Sequence, residues 1–301
     1  MSTTNEQIKK ADRLYDHTYA SLYNDIWWER DYWKPVGDFH VRVLSELLEG
    51  SENWLDVGCG TGYFLSKFPH VNRCGLDLSH DMIEKARTTN PGVPFYQQSM
   101  TDENTDLNGK FDLVTCTGQP WCYLSSLDEI GTAVKRLAEW TAEGGTCLLT
   151  PNDIVDVMDI ELPPGFYDLS DRIEVPRVVN LAVISSYEEF DGHYYPQLYP
   201  NLDQWIRWFA VYFKQIEILF RPMTEGSAKA LRRIIVCREK RRRGDKTRVK
   251  ITAPSEPLYQ VKSEPTKLLG PELSNTALLK ELAIRLKSGK LIKAAVKKII
   301  S

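Results

Sequence analysis

Across its 301 residues the chain lacks any apolar run near the roughly 20 residues that a membrane-spanning helix needs. The opening MSTTNEQIKKADR has no apolar core of the kind a secretory leader carries, so a cytoplasmic catalytic part is expected. The six cysteines, Cys59, Cys74, Cys116, Cys122, Cys147 and Cys237, are scattered, and no two are spaced C-x-x-C. That excludes a zinc ribbon or a disulfide framework and points to reduced thiols. Histidine is scarce, at five residues, and no Asp/Asp/Asn constellation suits a metal, so none is expected. No internal repeat is present.

What the chain does have is a charge asymmetry. Its net charge of -3 hides 17 Lys/Arg against 6 Asp/Glu from Arg238 to Ser301, which leaves 21 against 35 for the residues before. An acidic body with a basic tail implies that the tail meets something anionic. Residues 1–50 read as a helical, aromatic lid. Short apolar runs at Trp54–Val57, Arg73–Leu76, Val93–Tyr96, Phe111–Cys116 and Thr146–Thr150 then alternate with helical stretches at Asp81–Thr88 and Leu127–Trp140. That rhythm predicts an α/β fold with a parallel sheet covered on both faces over 51–238. Residues 151–200 break the rhythm and read as an inserted cap with strands near Val178–Ser185. A helix over Leu202–Phe213 and strands at Gln215–Phe220 and Leu231–Arg238 follow. The Pro-rich, charged stretch 239–271 reads as a mobile linker, and 272–301 as a basic amphipathic helical tail.

The run Leu55-Asp56-Val57-Gly58-Cys59-Gly60-Thr61-Gly62 follows an apolar strand and opens a helix at Tyr63. Alternate glycines let the backbone turn sharply and leave bare N–H groups facing a ligand. Asp77, in Gly75-Leu76-Asp77-Leu78-Ser79, ends the next strand, where a carboxylate can accept from both hydroxyls of a ribose. A nicotinamide site would place its third glycine at position 63, which is a tyrosine here. The chain resembles instead the Rossmann-like (class I) S-adenosylmethionine-dependent methyltransferases, and is closest in outline to those acting on small molecules and sugars. The motifs that carry the resemblance are D-V-G-C-G-T-G, G-L-D-L-S-x-x-M, F-D-L-V-T-C and G-G-T-C-L-L-T. The resemblance implies a mostly parallel seven-stranded sheet and S-adenosyl-L-methionine as cofactor. It also implies that Asp56, Gly58, Cys59, Gly60 and Gly62 hold the methionine part. Asp77 would bind the ribose, Leu78 and Met82 would flank the adenine, and Ser99, Met100 and Cys116 would complete the site. Many relatives have Gly-Asp where this chain has Gln98-Ser99, so the adenine contact is weakened, supplied by Ser99 or moved to backbone. Leu14-Tyr15-Asp16 resembles the lid helix of such enzymes, with Tyr15 or Tyr23 over the cofactor.

Since a sulfonium supplies its own leaving group, the protein mainly aligns an acceptor lone pair with the methyl carbon. A hydroxyl acceptor also needs a base to take its proton, whereas an amine needs less help. The segment Thr117–Leu124 lies where acceptor and methyl group should meet. It is not the Asn/Asp-Pro-Pro-Tyr/Phe run of base-amino methyltransferases, which argues against nucleic acid. Similar aminosugar enzymes carry a histidine where this chain has Tyr123. Tyr123 and His193, the latter in the cap, are therefore the catalytic candidates. The leading expectation is methylation of a hydroxyl or amine on a sugar, as a glycan or nucleotide-sugar. Another small metabolite as acceptor, or an inactive cofactor-binding subunit, are the alternatives. The tail is expected to dock on an anionic inner-membrane face, on a partner protein or on a second copy.

Overall fold

The computed structural model describes residues 3–30, 33–151, 173–180, 183–190, 193–220 and 233–252. The expectations for the tail, for most of the linker and for 152–172 of the cap lie outside them.

Three helices open the chain: α1 (Thr3–Leu14), α2 (His17–Trp27) and α3 (Lys34–Leu48). Asp16 starts α2 by accepting from the Tyr19 amide at 2.8 Å, and Pro35 sits in the first turn of α3, where a missing N–H costs nothing. Alternation of strand and helix follows: β1 (Asn53–Val57), α4 (Tyr63–Ser66), β2 (Asn72–Asp77), α5 (His80–Thr89), β3 (Phe95–Gln97), β4 (Phe111–Cys116), α6 (Leu127–Trp140) and β5 (Thr141–Leu149). β6 (Ile173–Asn180), β7 (Val183–Phe190) and β8 (His193–Pro200) form a separate three-stranded antiparallel sheet. Helix α7 (Leu202–Phe209) leads to β9 (Phe213–Phe220), β10 (Arg233–Lys240) and β11 (Arg248–Thr252).

The main sheet has the order β11-β9-β10-β5-β4-β1-β2-β3. β1 to β5 run parallel, and β10 is antiparallel to both neighbours. The run Trp54–Val57, apolar but for Asp56, suits a central strand, because both its faces are covered. Trp54 turns to one side, against Phe39, Val43, Ile83 and Ala86. Leu55 and Val57 turn to the other, where Ile130, Val134 and Trp205 pack. After β1 the chain builds outward to β3 and then returns to place β4 on the opposite flank. The strand order therefore reverses between β1 and β4, and the carboxyl ends of these two strands form a crevice.

The sheet has eight strands rather than the seven expected. The eighth, β11, lies within the stretch read as linker, and β10 also reaches Lys240. In β11 Val249 and Ile251 alternate with charged residues, but both are exposed, at 45% and 61%. The strand forms because the edge of β9 offers a row of backbone partners, and Lys250 and Thr252 both bond Glu217 (2.8 and 2.9 Å). The helix read over Leu202–Phe213 stops at Phe209, and the buried Phe213 opens β9 instead. The apolar run Val178–Ser185 spans the end of one hairpin strand and the start of the next. Among the described residues, no helix is long and apolar enough to cross a membrane.

Candidate active site

The crevice is lined first by the turn between β1 and α4. Gly58, Gly60 and Gly62 all have positive φ (70°, 52° and 70°). At Gly58 a Cβ would stand 2.2 Å from Pro120 of the turn after β4, so only glycine lets the two turns meet. Asp77, at the end of β2, braces this loop: its Oδ2 accepts from the Gly60 amide at 2.8 Å and its Oδ1 from the Ser79 amide at 3.0 Å. Burial pushes its carboxyl above the ordinary carboxylate range, and the backbone N–H bonds pull it back. With the Leu78 amide as a third backbone partner, the carboxylate keeps lone-pair capacity for a ligand hydroxyl.

Around this loop lies a cleft of about 1050 Å³, open mouth included. Leu76, Leu78, Met82 and Met100 give one wall, and Gln98 and Ser99 close its end. The Gln98 Oε1 accepts from Asn104 at 2.8 Å, while its Nε2 is buried without a hydrogen-bond partner. The Ser99 hydroxyl is committed to Thr101, at 2.8 Å. Cys59 also lines the cleft; burial holds its thiol well above the usual value, so it is a neutral wall atom rather than a nucleophile.

The opening helices roof the cleft with Lys10, Leu14, Tyr15, Tyr23 and Trp28. Bonds that tie this lid to the loops below include Thr61 Oγ1 to Asn24 Oδ1 (2.5 Å), Ser79 Oγ to the Tyr15 carbonyl (3.0 Å), the His80 amide to Asp12 (3.0 Å) and Lys10 Nζ to the Tyr123 carbonyl (3.4 Å). Tyr15, Tyr23, Trp28, Gly118 and Tyr123 also border a second cavity of about 770 Å³, mouth included. Deeper in it are Tyr19, Trp27, Trp33, His40, Thr150 and Tyr199. Both cavities share the 3₁₀ turn Pro120–Tyr123, anchored where Trp121 donates to the Thr150 carbonyl at 3.0 Å and packs edge-on against Trp205.

Of the residues singled out in the sequence, Tyr15, Tyr23, Gly58, Cys59, Gly60, Asp77, Leu78, Met82, Ser99, Met100 and Tyr123 come together on the cleft wall. Three do not. Asp56 is enclosed behind the wall, 1% exposed, accepting from the Thr115 hydroxyl at 2.7 Å; burial pushes its carboxyl up to about 7. Cys116 is wholly buried in β4, and Gly62 faces Ala86 and Asn90 of α5 and its cap. His193 is the first residue of β8, and its side chain lies outside what is described. Sequence reasoning passed over Lys10, Thr61, Gln98 and His40. Thr61 stands inside the glycine motif and Gln98 at the noted departure, so both carried a signal. Lys10 and His40 reach the cavities only through helix packing.

A family model described as a methyltransferase domain matches residues 55–145. The dTDP-4-amino-2,3,4,6-tetradeoxy-D-glucose N,N-dimethyltransferase of Saccharopolyspora spinosa is 28% identical over 155 residues, covering 50% of this chain and 61% of that protein. The dTDP-3-amino-3,4,6-trideoxy-alpha-D-glucopyranose N,N-dimethyltransferase of Streptomyces venezuelae is 33% identical over 142 residues, covering 46% and 59%. The chain thus matches about three fifths of the length of these relatives. Among solved structures, the N-methyltransferase NodS of Bradyrhizobium japonicum WM9 with S-adenosyl-l-homocysteine superposes with a TM-score of 0.50. At 16% identity, over 74% of this chain and 99% of that one, the likeness is one of fold. The matched domain runs from β1 to β5, with the glycine loop at the strand-order reversal, so residues 55–145 of this chain are similar to a methyltransferase domain.

Proposed function

We propose that this protein transfers a methyl group from S-adenosylmethionine to an amine or hydroxyl of a sugar, presented as a glycan or nucleotide-sugar. The observation that carries the reading is the pairing of two cavities across one set of shared walls. One is lined by the glycine loop, Asp77, Leu78 and Met82, and the other shares Tyr15, Tyr23, Trp28, Gly118 and Tyr123 with it.

The residues present fit the cofactor. Asp77 would take the ribose hydroxyls, Leu78 and Met82 the faces of the adenine, and the Gly58–Gly60 backbone the methionine end. The buried Gln98 Nε2 would find its missing acceptor in a ring nitrogen of the base. When bound, the cofactor supplies a methyl carbon already activated by a sulfonium. The protein's part is to exclude water with the lid and to hold the acceptor in line, where orientation contributes on the order of 7–11 kcal/mol. Tyr123 borders both cavities, with its ring edge-on to Tyr15 at 5.9 Å, and so stands where the acceptor should meet the methyl group. The sugar acceptor is supported by the curated relatives, which are named for N,N-dimethylation of dTDP-linked amino sugars.

Calorimetric titration with S-adenosylhomocysteine tests the first cavity. Incubation with S-adenosylmethionine and a dTDP-amino sugar, read by mass spectrometry, tests the second. Absence of cofactor binding in a folded chain overturns the reading.

A further inference from the structure

We infer that the turn after β10, together with β11, forms a docking surface for an anionic lipid bilayer, carried by the folded body and not only by the tail. β10 runs antiparallel to β5, and Arg242 just beyond it reaches Glu143 near the start of β5. The loop 241–247 therefore sits at the amino-terminal ends of the parallel strands, whereas the cleft opens at their carboxyl ends. The surface lies away from the cleft, so the inference stands apart from the methyltransferase reading.

The loop is held in place by its own bonds. Arg241 donates to the Ala210 carbonyl at 2.8 Å and to the Asp245 carbonyl at 3.0 Å. The Arg242 amide donates to the Asp245 carboxylate at 2.9 Å, and the Thr247 hydroxyl to the Phe213 carbonyl at 2.9 Å. Fixed in this way, the segment presents a row of exposed cations. Two of them are neutralised, Arg242 by Glu143 at 3.0 Å and Lys250 by Glu217 at 2.8 Å. Arg243, Lys246 and Arg248 are exposed and enter none of the ion pairs among the described residues.

Aliphatic side chains accompany these cations. Val211, in the turn between α7 and β9, Val249 and Ile251 are three of the five large apolar side chains left exposed among the described residues. Val249 and Ile251 stand in register with the buried Ile216 and Ile218, so they extend a core face of the sheet into solvent. Anionic headgroups would take the unpaired cations, and the acyl boundary just beneath would take the aliphatics. A nucleic acid would engage the cations but leave Val249 and Ile251 in water. The body before Arg238 is acidic, so a basic edge on it is a local feature and not the general character of the surface. The Lys-rich stretch 272–301 follows in the same chain. Surface and tail would meet one membrane together, each raising the effective concentration of the other, with neither sufficient alone.

The experiment sediments the full chain with vesicles of phosphatidylglycerol and phosphatidylcholine in equal parts, and with phosphatidylcholine alone. Arg243→Glu, Lys246→Glu and Arg248→Glu together should weaken binding to the anionic vesicles at least about tenfold, since each basic residue near such a surface contributes about fivefold. Val249→Thr with Ile251→Thr keeps every charge and the β-branched shape that suits a strand. That pair should bind several-fold more weakly and be released at lower salt than wild type, because the part of the attraction that salt does not screen is gone. Lys9→Glu, Arg42→Glu and Lys85→Glu, the same charge change placed elsewhere, should stay within about twofold of wild type. Melting curves establish that each variant folds, and Val249→Thr alone replaces the pair should the pair not fold. Wild-type binding by the first variant, or an equal loss in the third, overturns the inference. A loss in the first with none in the threonine variant assigns the edge to a polyanion such as a nucleic acid and overturns the bilayer. A full chain that ignores anionic vesicles at low salt, or binds phosphatidylcholine alone as well, overturns it too.

Discussion

Two carboxylates at the carboxyl ends of adjacent strands do different work, and each makes a separate prediction. Asp77 faces the cleft and braces the Gly60 and Ser79 amides. Asp77→Ala should weaken S-adenosylhomocysteine binding about 10- to 100-fold, since each hydrogen bond to a charged group contributes roughly 1.5–3 kcal/mol and part of that is lost. Titration calorimetry on the folded variant measures this. Asp56 lies behind the wall, and its carboxyl is raised by burial to about 7. In the cofactor-free protein the folded state then holds a proton that the unfolded chain has released. Stability should therefore fall as pH rises from the ordinary carboxylate range through about 7, and level off above it. Asp56→Asn removes the ionised form. Its melting temperature relative to wild type should climb over that same window, which thermal melts in a pH series would show. A difference independent of pH would contradict the buried, proton-holding carboxylate.

At the scale of elements, the lid and the glycine loop act as one unit because Asn24 and Thr61 bond across them. Thr61→Ala should speed release of S-adenosylhomocysteine several-fold, in line with the loss of about 0.5–1.5 kcal/mol for one hydrogen bond. Hydrogen exchange along α2 should rise in the same variant, and stopped-flow displacement gives the rate. The elements that the sequence made legible were those with an unambiguous local signature. β4 and α6 stand at the residues read for them, because Phe111–Cys116 is buried at every position but Asp112 and Ser126 caps α6 by accepting from the Glu129 amide. The failures were of two kinds. Phe213 continues the apolar spacing of α7, so pattern alone ran the helix four residues past Phe209, and only the pairing of β9 with β10 claims it for a strand. β11 does alternate Val249 and Ile251 with charged residues, but five residues in a Pro-rich, charged stretch gave too short a pattern to outweigh that composition.

For the whole molecule, the edge strand and the basic tail lead to different expectations for two truncations. A chain ending at Arg243 loses β11 and uncovers the edge of β9, along with the ion pair from Lys250 to Glu217. It should melt at a lower temperature and aggregate more readily than a chain ending at Leu258, as melting curves and light scattering would report. The chain ending at Leu258 should keep cofactor affinity but lose binding to anionic vesicles, which the full chain should show at low salt and lose at high salt. Sedimentation with vesicles compares the two. If the full chain ignores vesicles at low salt, the charge surplus of the tail serves self-association or a protein partner instead.

Sequence alone determined the fold class and the place of the glycine-loop cleft, because both rest on local grammar. Glycines at alternate positions force a particular turn wherever they follow a buried strand, and an acidic residue ending the next strand falls beside that turn in any parallel pair. Tertiary structure decided the second cavity. Tyr19, Trp27, Trp33, His40, Thr150 and Tyr199 come from the lid, from the ends of α3 and β5, and from β8, and no spacing links them. Each looks like an ordinary packing residue in its own segment. They become a chamber only when α2 and α3 fold over the carboxyl end of the sheet, since aromatic rings interact by proximity and tilt, which the linear order of residues does not encode.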